Sequence, residues 1–372
     1  MKTIRIAALA CLLAAHATLP ARAQSEPIRI GQSISLTGAA ADHGNAVLAG
    51  VKAALAKANA EGGVRGRRIE LRVLDDAGDA AKSGANAKAL ARDAGIVALF
   101  GGVEGGPCVA QMKEAVEAGV PLVACMAGSP ELRDPGHRLV FPVRAGHYDE
   151  FARLIEQAIR YGMGRIAFVH SDSDTGRRHL ANVRKLLAAQ GRELTLALAM
   201  PSKPDMKALA KQLVDGRIEA VFNHGSFATY SQLLRETRAL GATTQFMAVN
   251  SGAQQMVRLL GPDAKGLIFT QVVPFPWGME RAIVREYQVA LRKLDPQAAY
   301  SFSSLEGYIS ARVLVEALRR AKSPTREGLV QSLEGMETLE LGGFALSYGR
   351  DSRAGSAFVD TVIATSKGDF RH

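Results

Sequence analysis

Short runs of apolar residues alternate with longer stretches in which Ala, Val and Leu recur every three or four positions, almost from end to end of the chain. An apolar run of four to eight residues reads as a strand buried on both faces, and the longer recurrence reads as an amphipathic helix. The pattern predicts strands over Ile28–Ser35, Ile69–Leu74, Ile96–Phe100 and Pro121–Ala124. Helices are predicted between them over His43–Glu61, Ala80–Ala94 and Val109–Ala118, with Gly62, Gly63 and Gly66 ending the first. After Arg138–Arg144 the alternation starts again. Helices are predicted over Asp149–Tyr161, Gly176–Gln190, Met206–Asp215 and Tyr230–Leu240, and strands over Arg165–His170, Leu194–Ala199, Ile218–Asn223, Gln245–Val249 and Gly266–Val272. Two such series predict an α/β protein of two doubly wound parallel-sheet lobes.

The remainder behaves differently. Helices over Glu280–Leu294, Ser303–Ala321 and Arg326–Glu334 precede strands over Phe344–Tyr348 and Ala357–Ala364. Such an appendix returns to pack on earlier elements, so the chain should cross between lobes several times. The expected division is 24–143 plus 274–354 for lobe 1 and 144–273 plus 355–372 for lobe 2, joined by a hinge.

The first 23 residues break this pattern. Lys2 and Arg5 precede an apolar run, Ile6–Ala15, and Ala21-Arg22-Ala23 supplies the small-x-small triplet of a cleavage site before Gln24. The run is shorter than the roughly 20 residues of a spanning helix, so it reads as a cleavable leader and an export signal. Ala8-Leu9-Ala10 before Cys11 makes a poor lipoprotein site. Of the ten excess positive charges, three leave with Lys2, Arg5 and Arg22. Those that remain are scattered among Asp and Glu with few aromatics, which argues for a solvated basic exterior rather than a nucleic-acid face. No later apolar run approaches spanning length, so neither nucleic acid nor direct membrane insertion is expected.

Cys108 and Cys125 remain after the leader. Their spacing has no metal-ligand pattern, and buried thiols or a bond are equally open; two cores of this size should fold without a bridge. No metal or other cofactor is expected. The chain has no GxSxG elbow, and His170, Ser171 and Asp172 are consecutive, so their side chains diverge. An enzyme is not indicated.

In open α/β sheets ligands sit beyond the C-terminal strand ends. Five loops qualify: Leu36–Gly44, Gly101–Pro107, Met126–Pro130, Ser171–Gly176 and Asn223–Phe227. The second is a glycine-rich anion cradle that matches neither nucleotide motif. Taken alone, His43 reads as a capping or surface residue, Phe227 as core, and Asp172 and Asp174 as helix caps.

In order along the chain, Ile30-Gly31-Gln32-Ser33-Ile34-Ser35-Leu36-Thr37-Gly38, Asn59–Gly66 with Asp75-Asp76, Gly119-Val120-Pro121 leading to Ser129-Pro130-Glu131-Leu132, and Thr244–Met247 resemble the leucine/isoleucine/valine-binding family of periplasmic binding proteins. The resemblance covers nearly the whole mature chain. It implies a type I two-lobed fold that captures a small polar solute in the periplasm and delivers it to an ABC permease, as a monomer. A ligand-sensing receptor subunit would share the fold. Carried over by motif, the solute would meet His43, Gly105, Gly106, Pro107, Met126, Ala127, Gly128, Ser129, Thr175, Phe227 and Asn250. Asn250 stands where the family has an acidic partner for an ammonium group, and cannot neutralise a charge. That departure favours a small organic acid, aromatic carboxylates included, over a branched-chain or other amino acid; Glu104, Asp172 or Asp174 are the substitutes for the missing counter-charge.

Overall fold

The computed structural model describes residues 26–134, 136–349, 353 and 355–372. The leader, its cleavage site before Gln24 and Cys11 lie outside the described residues.

The first series runs β1 (Ile28–Ile34), α1 (Ala41–Ala60), β2 (Ile69–Asp75), α2 (Ala80–Ala91), β3 (Ile96–Phe100), α3 (Gly105–Glu117), β4 (Leu122–Val123) and β5 (Val140–Phe141). Its strands form a five-stranded parallel sheet in the order β2-β1-β3-β4-β5. The second series begins α4 (His147–Arg160), β6 (Ile166–Ser171), α5 (Asp174–Ala189), β7 (Leu196–Met200), α6 (Met206–Asp215) and β8 (Ala220–His224). It continues α7 (Phe227–Ala239), β9 (Gln245–Ala248), α8 (Ala253–Leu260) and β10 (Ile268–Gln271). The closing segment is α9 (Ala282–Leu294), α10 (Phe302–Arg320), α11 (Arg326–Glu334), β11 (Glu337–Glu340), β12 (Ala345–Tyr348), β13 (Asp360–Ala364) and β14 (Phe370–Arg371).

The second sheet has seven strands in the order β14-β13-β10-β9-β8-β6-β7. Only β13 runs against the others, pairing antiparallel with both β10 and β14, as expected for an appendix that returns from elsewhere. Its outward route is through α9 and α10, which pack on α1 of the first lobe. The α1–α10 contact is very close: a Cβ on Gly50 would stand 1.8 Å from the Ser304 carbonyl oxygen, and one on Gly307 would stand 2.2 Å from that of Val47. The chain therefore passes between lobes after β5, after β10 and after β12. Two of these crossings touch, since Ser356 donates its N–H to the Val143 carbonyl over 2.8 Å.

Each lobe has buried apolar strands. All five residues of β3 and the first five of β6 are buried, which is why consecutive rather than alternating apolar residues marked them. The strand order reverses beside β1 in one sheet and beside β6 in the other. These two topological switch points face each other, and ligands are expected there.

Several boundaries differ from expectation. Helix α3 starts at Gly105 rather than Val109, because Pro107 lacks an N–H and so fits a first turn where none is needed. Helix α5 is capped by the Ser173 hydroxyl, which accepts the Gly176 N–H over 3.1 Å; Asp172 and Asp174 instead pair with Arg177. Helix α8, barely two turns long, gave too few repeats to be seen. Cys108 and Cys125 are bonded and buried, which settles the alternative left open between free thiols and a bridge.

Candidate functional site

Between the switch points lies a cavity of about 580 Å³, within the range of small-molecule sites. The first lobe contributes His43 from the start of α1, Glu104, Gly105, Gly106 and Val109 from α3 and its approach, and Met126, Ser129 and Glu131. The second lobe contributes His147, Thr175, Asn223 to Phe227, Val249, Ser251, Gly252 and Gln255.

The lobes touch across this cleft. Thr175 donates to Glu131 over 2.6 Å, Arg178 donates to the Asp134 carbonyl over 2.7 Å, and Arg258 pairs with Asp42 at 2.8 Å. The cavity is thus bridged from both sides.

Its groups divide by chemistry. Gly105 and Gly106 open α3, where the first backbone N–H groups have no partner within the helix. A Cβ on Gly105 would lie 2.4 Å from the Ser129 hydroxyl, so glycine is what lets that hydroxyl reach the helix end. Donors of this kind suit a carboxylate. Acidic groups line the same cleft. Glu131 spends one carboxylate oxygen on Thr175, while its Oε2 is shielded from solvent with no partner. Glu104 keeps solvent contact, yet desolvation and the Asp76 charge push its carboxyl pKa up. His43 is driven down to about 4 by burial and then by Arg144, so it is neutral.

The expected contacts separate into three sets. His43, Gly105, Gly106, Met126, Ser129, Thr175 and Phe227 line the cavity. Pro107, Ala127 and Gly128 stand behind its wall. Ala127 and Ser129 give their carbonyls to the Arg133 guanidinium at 2.9 and 3.2 Å. Gly128 serves close approach, since a Cβ there would meet the His147 ring at 2.2 Å. Asn250 belongs to a small neighbouring cavity with Gln271, Phe302 and Glu306. Its N–H donates to Glu150 over 2.9 Å, and Glu150 also accepts from Thr270 over 2.5 Å and pairs with buried Arg144. Asn250 is therefore part of a buried network beneath the crossings.

Lining residues that the sequence did not single out individually are Glu131, His147, His224 and Ser226 with their neighbours, and Asn223, the first residue of the loop Asn223–Phe227. His224 and Ser226 sat inside a loop already singled out by composition, and Glu131 directly follows another. His147 had no such marker, because its helix was expected to begin two residues later.

The sequence profile described as "Periplasmic binding protein" matches residues 27–368. The Leu/Ile/Val-binding protein homolog 7 of Brucella abortus is 27% identical over 348 residues, covering 87% of this chain and 85% of the relative. An extracellular ligand-binding receptor from Verminephrobacter eiseniae superposes with a TM-score of 0.83 at 28% identity, covering 93% of this chain and 100% of that one. A possible leucine/isoleucine/valine-binding protein from Rhodopirellula baltica gives 0.84 at 26% identity, covering 94% and 97%. The chain belongs to the periplasmic binding proteins of the leucine/isoleucine/valine-binding type, two-lobed proteins that bind solutes and are not enzymes.

Proposed function

We propose that this protein captures a small α-amino acid in the cleft between its lobes and delivers it to the membrane subunits of an ABC importer. Membership of the family supports a periplasmic location, as does the reading of residues 1–23 as an export leader. Among the described residues no helix is long and apolar enough to cross a membrane.

The observation that carries the choice of solute is Glu131. Its shielded, unpartnered Oε2 lies on the same cleft as the helix-end N–H groups of Gly105 and Gly106 and the Ser129 hydroxyl. An ammonium group would satisfy the first, and a carboxylate the second. A desolvated charge without a partner costs several kcal/mol, so one ligand carrying both charges answers both demands. The expectation of an acid without an amine rested on Asn250, and Asn250 is turned into a separate cavity. Met126, Val109, Val249 and Phe227 supply an apolar wall for a side chain. The relatives named for leucine, isoleucine and valine support the same class.

A thermal-shift screen of matched pairs tests this reading, each amino acid against the same acid lacking its amine. A ligand at about 100 times its Kd stabilises the native state by roughly 2.7 kcal/mol, which such a screen resolves. The amine-bearing member should shift the melting temperature and its partner should not. Equal or larger shifts from the amine-free acids would return the solute to the organic acids.

A further inference from the structure

We propose that His147, His179 and His224 form a three-nitrogen site for a divalent transition-metal ion at the floor of the cleft, with a further position open towards the solute space. The three come from separate elements: the first residue of α4, the second turn of α5 and the last residue of β8. Each offers one ring nitrogen, and the three nitrogens lie within 4.8 Å of one another. His147 Nδ1 and His179 Nε2 are 3.3 Å apart. Two ligands at 2.0–2.1 Å from a tetrahedral ion would be separated by about the same distance, roughly 3.3 Å. The His179 and His224 ring centroids are 3.9 Å apart, and those of His147 and His224 are 5.4 Å apart.

Simple packing or a hydrogen-bond chain accounts for this cluster incompletely. The contact between His147 and His179 uses one nitrogen of each, and His147 Nε2 reaches Ser251 Oγ at 3.5 Å. His179 Nδ1 and His224 Nδ1 are buried without any partner. The unpartnered His224 nitrogen beside the His147 Nδ1–His179 Nε2 pair calls for something that accepts a lone pair, whereas His179 Nδ1, on the far side of its ring from Nε2, takes no part in the site.

The surroundings favour the ligating form. Burial lowers all three pKa values, His179 to about 2 and His224 to about 4, and neutral imidazole is the metal ligand. The nearby cations are engaged elsewhere: Arg144 pairs with Glu150, Arg178 binds the Asp134 carbonyl, and Arg133 binds backbone carbonyls. The Glu131 charge acts on His224 in the opposite sense. His147 and His224 both line the cavity, so an ion held by the three nitrogens keeps a coordination position on the solute side. Three imidazoles select zinc, cobalt, nickel or copper over calcium or magnesium, which take oxygen ligands. The site stands whatever solute the cleft accepts.

The test uses the mature protein after chelator treatment, without solute, titrated with cobalt(II) and then competed with zinc(II). One equivalent of cobalt should bind at micromolar concentration or below and develop the visible absorption of a low-coordinate nitrogen site. His224→Gln should weaken it by more than the about 10–100-fold that loss of an outer partner costs, with an unchanged circular dichroism spectrum. His43→Gln, at the same cleft, should leave it intact. Failure of wild type to bind cobalt saturably, or binding that survives His224→Gln, overturns the proposal. X-ray absorption of the zinc-loaded wild type needs no variant: three imidazole nitrogens at about 2.0–2.1 Å are required, and any smaller number contradicts the site.

Discussion

Thr175, at the start of α5, donates its hydroxyl hydrogen to Glu131 over 2.6 Å and so ties the second lobe to a loop of the first. The bond occupies one carboxylate oxygen, and the other stays unpartnered inside the wall of the cleft. Thr175 therefore holds Glu131 in place and joins the lobes in one contact. Thr175→Val keeps the shape and removes the donor. A hydrogen bond to a charged group contributes about 1.5–3 kcal/mol, so solute affinity should fall roughly tenfold or more. Calorimetry on the variant checks this, and an unchanged Kd would separate the contact from binding.

The Cys108–Cys125 bond joins the first turn of α3 to the segment just after β4. Closing a loop of this length constrains the unfolded chain and contributes about 2–4 kcal/mol. Cys108→Ser and Cys125→Ser should each fold and bind solute, because the apolar cores are large, but with a lower urea midpoint. Wild type under reducing conditions should fall to the same midpoint. Coincident urea curves for wild type, oxidised and reduced, would show that the bond adds no stability.

Asp75 gives the fold an acid limit. The Thr37 hydroxyl, then the Leu36 and Ala77 N–H groups, hold its carboxyl well below the usual carboxylate range. A carboxyl depressed in the folded state contributes stability that is complete above its unfolded pKa of about 3.9 and is lost as pH falls below it. Stability measured by urea unfolding should therefore decline as pH drops from about 5 towards 2. Asp75→Asn should be less stable at neutral pH and show a shallower acid decline. An identical slope in the variant would assign the acid limit to other carboxylates.

The architecture was legible where burial imposed simple patterns. Strands such as Ile96–Phe100, buried on both faces, and long helices such as Ala41–Ala60 leave apolar signatures that survive any tertiary context. Short elements were not legible: α8 shows its apolar face only once, over Ala253, Met256, Val257 and Leu260, and β14 has two residues. At the site, the glycine-rich and hydroxyl-bearing loops were visible because close approach and helix ends restrict residue type. The place of Asn250 was not, since its backbone is held by Glu150, 100 positions away in sequence. The convergence of His147, His179 and His224 is likewise a product of topology, with no spacing in the chain to announce it.

Trp277 is the one tryptophan of the chain and follows the crossing after β10. It packs on Phe275 and on Phe302 at the start of α10, with centroid separations of 5.1 and 5.6 Å, and is 41% exposed. Phe302 also borders the small cavity that holds Asn250. Relative movement of the lobes should change the surroundings of the indole, so its emission should shift on adding the solute. Emission that stays constant through calorimetrically confirmed binding would place Trp277 outside the moving region.

Isothermal titration of wild type and Glu131→Gln with the amino acid favoured in the paired screen tests the central claim most directly. The substitution keeps size and an acceptor for the Thr175 hydroxyl, but it removes the charge and replaces the unpartnered oxygen with an NH2 group that cannot accept from an ammonium. Truncating one partner of a buried charge pair costs about 2–5 kcal/mol, so affinity should drop by about 30-fold or more, since each 1.4 kcal/mol is tenfold. Binding of the amine-free analogue should stay weak in both proteins. Equal affinity of wild type and Glu131→Gln for the amino acid would contradict the account, because the ammonium group would then meet no charge at Glu131.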